Sequence, residues 1–334
     1  MTVSLSVLDL APVSSDSTGP QALRNSIELA QLADRLGYTR YWLAEHHNIP
    51  GIAISTPEIM ISVIARETNR IRVGSGGVML PNHAPLKVAE AFRTLEALYP
   101  GRIDLGIGRA PGTDQLTAYA LRQSQERLQI DDFPEQLAEL VAFGNGQFPD
   151  DHPFRRISAM PRDVTLPPIW LLGSSGGYSA QLAATLGGGY AFAYHINPNL
   201  NDAIAAFRTY RTHVQAGAQP HTMLALAVLC AENAERAEEL ATIMDLSFLR
   251  RQRGQLATLP TLEEAKAYPF TDLERAQARS HRDRQVVGDP ATVRARLEAL
   301  VQQTGADEVM VLTMISSHAD RLRSYELLAE AVEL

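Results

Sequence analysis

The chain of 334 residues contains a single cysteine, Cys230. One thiol excludes an internal disulfide and any cysteine-rich zinc cluster. It lies in the apolar run LALAVLC, where a small buried hydrophobe is the expected role rather than a reactive group. Long apolar runs are also missing: no uninterrupted stretch approaches the ~18 residues of a membrane span. No basic start leads into an apolar core, so neither insertion nor export is expected and a cytoplasmic location is. Nor is there a basic stripe. With a net charge of −8 and arginines scattered among acids, a nucleic-acid surface is excluded and small molecules are the expected partners. Internal repeats and low-complexity tracts are absent as well.

What is present is an alternation of short apolar or β-branched runs with longer amphipathic ones, the pattern of parallel strands joined by crossover helices. Eight runs read as strands: 3–8, 41–44, 71–80, 103–108, 168–173, 189–194, 223–230 and 308–313. Between them, period-3.6 patterns read as helices over 22–36, 57–68, 86–98, 134–143, 179–186, 201–214 and 293–303. Asp289-Pro290 forms an N-cap followed by a first-turn proline, and Gly37 and Gly187 follow apolar helical runs as C-terminal caps do. Eight units predict a TIM (β/α)8 barrel, with a doubly wound open sheet as the alternative, and one domain over 1–334. Residues 231–287, rich in Arg, Glu and Gln, read as a helical insertion before the last helix. The stretch 144–167, with GNGQFPDDHPF, reads as a surface loop. In a barrel the chemistry belongs at the C-terminal ends of the strands.

Four segments stand at those ends. The first, TRYWLAEHHN, places Glu45, His46 and His47 after the second strand. Neighbouring side chains of an extended segment point to opposite faces, so the two histidines cannot both face the barrel axis. No His-x-His pair begins a zinc set, so no metal is expected; a proton-transfer role and an ordinary polar rim both stay open. The second, Gly74-Ser75-Gly76-Gly77, puts three glycines into a strand, the mark of a bulge or of a ligand approaching the backbone. In the third, Arg109 follows the fourth strand, suited to a phosphate or carboxylate and equally to a surface ion pair. The fourth, Gly173–Ser179, opens a helix with small residues. Its free backbone N–H groups and the hydroxyls of Ser174, Ser175 and Ser179 make either a phosphate cradle or a capping turn. A serine nucleophile is not expected there.

Together these segments resemble the bacterial luciferase-like family of flavin-dependent monooxygenases and oxidoreductases. The resemblance is carried by WLAEHHN, by VGSGGVMLPNHAPLKVAEAFRTLEALYPGRIDLGIGRAPG, by WLLGSSGGYSAQLAATLG and by VVGDPATVRARLEAL. It is nearest to a bacterial branch with an EHHN motif and a GRAPGTD segment. The resemblance implies a TIM barrel with FMN across the strand ends, a homodimer, and reduced flavin delivered by a separate reductase. It further implies that Glu45 and His46 fall at flavin-site and catalytic positions. Gly76 and Gly77 match the bulge, often with a non-prolyl cis peptide, that supports the ring. Arg109, with Ser174, Ser175, Gly176, Gly177 and Ser179, matches the region holding the flavin phosphate. Gly108 stands where the luciferases carry a reactive cysteine, so light emission is not expected. No second phosphate-binding arginine stands near Asp132-Phe133, Arg127 being in the vicinity. The implied reaction activates O2 on reduced FMN and oxidises a small organic substrate. In it His46 exchanges a proton, Glu45 orients the ring edge or His46, and His47, His195 and Asn197 stand at the rim or on the substrate side. The insertion is a candidate lid. The rivals are a deazaflavin (F420)-dependent hydride-transfer enzyme, a non-catalytic flavin-binding protein and a metal hydrolase.

Overall fold

Alternation along each apolar run, with both faces covered, is what turns these segments into barrel strands. In a computed structural model of the protein, which describes residues 3–215 and 220–334, they are β1 (Leu5–Asp9), β2 (Arg40–Leu43), β3 (Arg72–Ser75) and β4 (Ile103–Gly108). They continue as β5 (Ile169–Gly173), β6 (Gly189–Ala193), β7 (Thr222–Cys230) and β8 (Glu308–Leu312). Each pairs in parallel with the next, and β8 closes on β1 through Leu5 opposite Val309, making a TIM barrel.

The outer ring is α1 (Gly19–Leu36), α2 (Pro57–Glu67), α3 (Pro85–Leu98), α4 (Phe133–Asn145), α5 (Tyr178–Leu186), α6 (Leu200–His213), α7 (Pro290–Thr304) and α8 (His318–Val332). The three caps expected from the sequence are formed. The Asp289 side chain accepts from the Thr292 amide ahead of Pro290, and Gly37 and Gly187 adopt the left-handed conformation at φ 93° and 69°. Between strands and helices lies one large apolar layer, including Val7, Tyr41, Val73, Ile103, Phe192 and Val311. Inside the barrel, Leu8, Trp42, Trp170, Met223 and Met310 form a second cluster, with the two indoles edge to face at 5.3 Å.

The interior of the N-terminal end is plugged by charge. Arg40 bonds Glu308 at 2.9 Å and Asp104 at 2.9 Å, and Arg72 bonds Asp104 at 2.6 Å. Such a paired, buried network closes the barrel floor and leaves the opposite end open for chemistry.

The insertion after β7 contains the helices Ala234–Gln252, Leu262–Ala267 and Asp272–Arg282, and adds a short strand, Val286–Gly288, paired with the end of β7. It precedes α7 as the sequence indicates, but α7 is not the final helix: β8 and α8 follow it. The period of α8 is hidden because two of its inward positions are polar. Arg321 is fully buried and bonds Asp9 at 2.6 Å, and Ser324 is buried on the same helix. Two short helices, Gln115–Arg122 and Gln125–Gln129, also lie between β4 and α4, where the sequence pattern predicts no element. The 144–167 stretch is tied down by Arg93, which donates to the carbonyls of Ala159 at 2.6 Å and Gly144 at 2.5 Å. No described helix is long and apolar enough to cross a membrane.

Candidate active site

Past the end of β2, residues 44–47 stay extended because successive amides bond alternately to either side. Ala44 and His46 donate to Asp9 and Ile54 carbonyls at 3.0 and 3.1 Å, while Glu45 and His47 donate to Gly77 and Gly112 at 3.4 and 3.3 Å. The strand alternation therefore persists through the motif. His46 faces a cavity of about 870 Å³ at the C-terminal mouth of the barrel. Glu45 and His47 do not line it.

Glu45 is instead the centre of a buried cluster behind the wall. Its carboxylate, 0% exposed, accepts from His47 Nε2 at 2.8 Å, His83 Nε2 at 2.9 Å and the Met79 amide at 2.8 Å. Burial pushes the carboxyl pKa up, but the bonds from His83, His47 and Met79 outweigh it and hold it below the usual range. His83 is affected in reverse: burial disfavours its charge, the Glu45 contact favours it more, and its pKa is raised. His83 is not legible as a site residue in the sequence alone. Its only signal is its place in PNHAP just beyond a strand end, and the contact crosses 38 residues. The expectation that Glu45 orients the ring edge or His46 is not met by a contact. Its hydrogen bonds go to His47, His83 and Met79, because residues two apart share a face and His46 points the other way.

His46 is depressed in pKa, first by burial, with Glu45 opposing and His47 adding to the shift. Its Nδ1 is buried without a hydrogen-bond partner. His195, after β6, lines the same cavity, and its Nδ1–H donates to the Ala225 carbonyl at 3.1 Å, which leaves Nε2 as the acceptor. Burial lowers its pKa to about 4, and the nearby His46 adds to this. Asn197 is not on the substrate side. Its amide donates to the Ser174 carbonyl at 2.7 Å and to Asp202 at 2.9 Å, bracing the loop after β5.

A pH dependence follows. A histidine whose folded pKa lies below its unfolded value (~6.5) takes up its proton more readily in the unfolded chain, so stability falls as pH drops from about 6.5 to about 4. His195 accounts for at most about 3 kcal/mol of that loss, at ~1.4 kcal/mol per pH unit. His281, also held at about 4 by burial and by Arg251 and Arg284, acts in the same direction. His83 does the opposite, its contribution being lost only as pH rises through its raised pKa. Urea unfolding at pH 7 and pH 4.5 is expected to show a smaller drop in His195→Gln than in the wild type; an equal drop refutes the assignment.

The Gly-rich segment breaks the strand as its composition indicates. Gly76-Gly77 is a cis peptide, the strand resumes over Val78–Met79, and Gly76 lines the cavity. A Cβ at Gly77 would sit 2.8 Å from the Gly106 carbonyl oxygen, so glycine is what lets the bulge lie against β4, whereas one at Gly76 would press at 2.7 Å on the movable end of the Leu8 side chain. Ser174, Ser175 and Ser179 reach the cavity, as does Arg109, whose guanidinium lies 5.6 Å over the Tyr178 ring and 3.5 Å from Asp131. Gly177 is the N-cap residue of α5 at φ 99°, and no side chain caps that helix, so its first amides are free for an anion. Gly176, beside it, has open space where a Cβ would stand. Gly77, Gly176 and Gly177 thus act through backbone shape. The Arg127 side chain lies outside the described residues.

An apolar slot beside a glycine bulge, a donor set suited to an anion and a histidine with a depressed pKa now stand at one barrel mouth. Residues 3–308 match the model of the luciferase-like monooxygenases. The chain belongs to that family. A luciferase-like monooxygenase of Escherichia coli K12 is 42% identical, the match covering 99% of this chain and 98% of that protein. The N-acetyl-S-alkylcysteine monooxygenase of Bacillus subtilis is 35% identical over 99% of this chain and 98% of its own. Among solved structures, apo-MsnO8 superposes with a TM-score of 0.88 at 43% identity, covering 99% of this chain and 98% of its own. The FMN complex of the oxygenating constituent of 3,6-diketocamphane monooxygenase from Pseudomonas putida superposes at 0.74 and 20% identity, covering 99% and 97%, a likeness of fold. Family membership supports an enzyme, with its mouth at the C-terminal end of the barrel.

Proposed function

We infer that the protein is a flavin-dependent monooxygenase that uses reduced FMN and O2 to oxidise a small organic substrate. The observation carrying this is the convergence of three elements on one cavity: the glycine bulge, the Arg109–serine donor set and His46. The residues fit the cofactor. Arg109, the hydroxyls of Ser174, Ser175 and Ser179 and the first amides of α5 suit a phosphate dianion. Gly76, Leu8, Trp42 and Leu172 offer a flat, mostly apolar slot to a planar ring. When bound, the reduced flavin supplies the electrons that activate oxygen. Neutral His46, on the cavity wall, gives or takes a proton, and His195 presents an acceptor to the same space. The helices Ala234–Gln252 and Asp272–Arg282 border the mouth and act as the lid that keeps water out. Gly108 puts no thiol on the cavity wall, consistent with chemistry that does not emit light.

This reading includes a separate flavin reductase, a homodimer and a cytoplasmic setting. Its alternative cofactor is the deazaflavin F420, with hydride transfer and no use of oxygen. Titration of FMN and F420 against the protein, in oxidised and reduced forms, discriminates between them, and tight binding of neither refutes the proposal. Arg109→Gln is expected to weaken FMN about 10–100-fold, the worth of a charge-assisted hydrogen bond of ~1.5–3 kcal/mol. Riboflavin, which has no phosphate, is expected to bind wild type and variant alike. Equal loss for both ligands would remove Arg109 from the phosphate.

A further inference from the structure

The cavity wall has a charge asymmetry that one cofactor phosphate does not use up. Among the described residues, Arg109, Arg250, Arg251 and Arg284 line it, and no aspartate or glutamate does. The chain has 38 acidic and 30 basic residues, so a carboxylate-free wall is not a consequence of composition. Arg109 comes from the loop after β4. The other three come from the insertion after β7, three strands further round the barrel.

Two arginines close to them in the same insertion, Arg253 and Arg282, are neutralised. Arg253 bonds Glu274 and donates to Tyr268 at 2.8 Å, and Arg282 bonds Glu238 and Asp245. By contrast, the guanidinium groups of Arg250, Arg251 and Arg284 make no hydrogen bond or ion pair with any described residue. Arg250 is half-buried, and Arg251 and Arg284 are exposed toward the mouth. Phe248 and His281, stacked at 3.9 Å, lie on the same wall, and Met244, Leu256 and Ile52 provide apolar surface there. At about 870 Å³ the cavity is at the upper end of the ~300–1,000 Å³ range of ligand sites, large enough for a second occupant beside a cofactor. Three unpaired guanidinium groups around an apolar wall recognise one chemistry, an anionic head on an apolar body.

We propose that the oxidised substrate is an organic anion, a carboxylate or sulfonate, whose charged end is held by Arg250, Arg251 and Arg284 while its apolar part extends toward His46. The proposal rests on the flavin-monooxygenase reading for what happens to that substrate, but the anion site itself does not depend on it.

The test is calorimetric titration of octane-1-sulfonate, octan-1-ol and octylammonium into the protein, with and without saturating FMN. Octane-1-sulfonate is expected to bind at least about tenfold more tightly than octanol, with octylammonium weakest and the preference shrinking in high salt. The triple variant Arg250→Gln, Arg251→Gln, Arg284→Gln is expected to lose about 10–100-fold for the sulfonate and little for octanol, with FMN affinity within about threefold of wild type. Arg284→Gln alone, at an exposed position, is expected to lose about three- to tenfold and serves if the triple variant does not fold. Octanol binding as well as the sulfonate, or a triple variant with unchanged sulfonate affinity, would overturn the proposal. So would an equal loss of FMN, since the arginines would then hold the cofactor's phosphate. Should neither FMN nor F420 bind while the arginine-dependent sulfonate preference persists, the flavin reading falls and the anion site stands.

Discussion

His46→Ala is expected to lower turnover with reduced FMN and O2 by about 10²–10⁴-fold, the usual contribution of a positioned acid or base, while FMN affinity stays within about threefold. The separation of the two effects follows from the geometry. His46 faces the cavity from the extended segment after β2, whereas the proposed phosphate donors Arg109, Ser174, Ser175 and Ser179 come from the loops after β4 and β5. Its buried Nδ1 has no hydrogen-bond partner, so truncation breaks no bond at that nitrogen. Depression of its pKa by burial keeps the ring neutral at pH 7. Oxygen consumption and flavin fluorescence, measured on the same preparation, check both halves. Activity within tenfold of wild type would take His46 out of the proton transfer. Wild-type oxygen uptake that is itself nil across a broad panel of substrates would favour the non-catalytic flavin-binding alternative.

Much of this arrangement is legible in the sequence because it follows from local rules. Strand alternation alone puts His46 and His47 on opposite faces, and backbone bonds running alternately to Ile54 and Gly112 keep the motif extended so that the rule applies. Three glycines in one strand signal a bulge, and small residues opening α5 signal free amides, whatever the rest of the chain does. What stays hidden depends on contacts distant in sequence. The Glu45–His83 bond crosses 38 residues and Arg321–Asp9 crosses 312. In the second case a buried charge at a helix position erases the apolar period of α8. The insertion reads as an Arg-rich helical segment, but which arginines lack acids depends on how its helices pack. Asn197 shows the converse limit: its place after β6 suggests the substrate side, yet the side chain turns back to hold the loop carrying Ser174.

Glu45→Gln is expected to act at a distance, and the mode of its failure distinguishes a positioning residue from a merely structural one. The carboxylate gathers two imidazoles and the Met79 amide in a site with no solvent access. Both histidines donate to an acceptor-only group. Glutamine has one acceptor oxygen and a competing NH2 donor, so at least one imidazole is left unsatisfied. Glu45→Ala removes all three bonds and is expected to cost about 3–5 kcal/mol in urea unfolding, as for a broken buried pair. Met79 stands two residues after Gly77, so releasing its amide also loosens the segment proposed to support the cofactor ring. Lost stability alone would leave the proton chemistry of the surviving folded enzyme unchanged. The charge of Glu45, however, raises the pKa of His46 against the effect of burial, so Glu45→Gln lowers it further. The acidic limb of the kcat/KM profile is therefore expected to move to lower pH in Glu45→Gln, while His47→Gln, which removes a like charge when protonated, moves it upward or leaves it in place. A Glu45→Gln profile that merely scales down, with no shift of its limb, would reduce Glu45 to a structural support for the bulge.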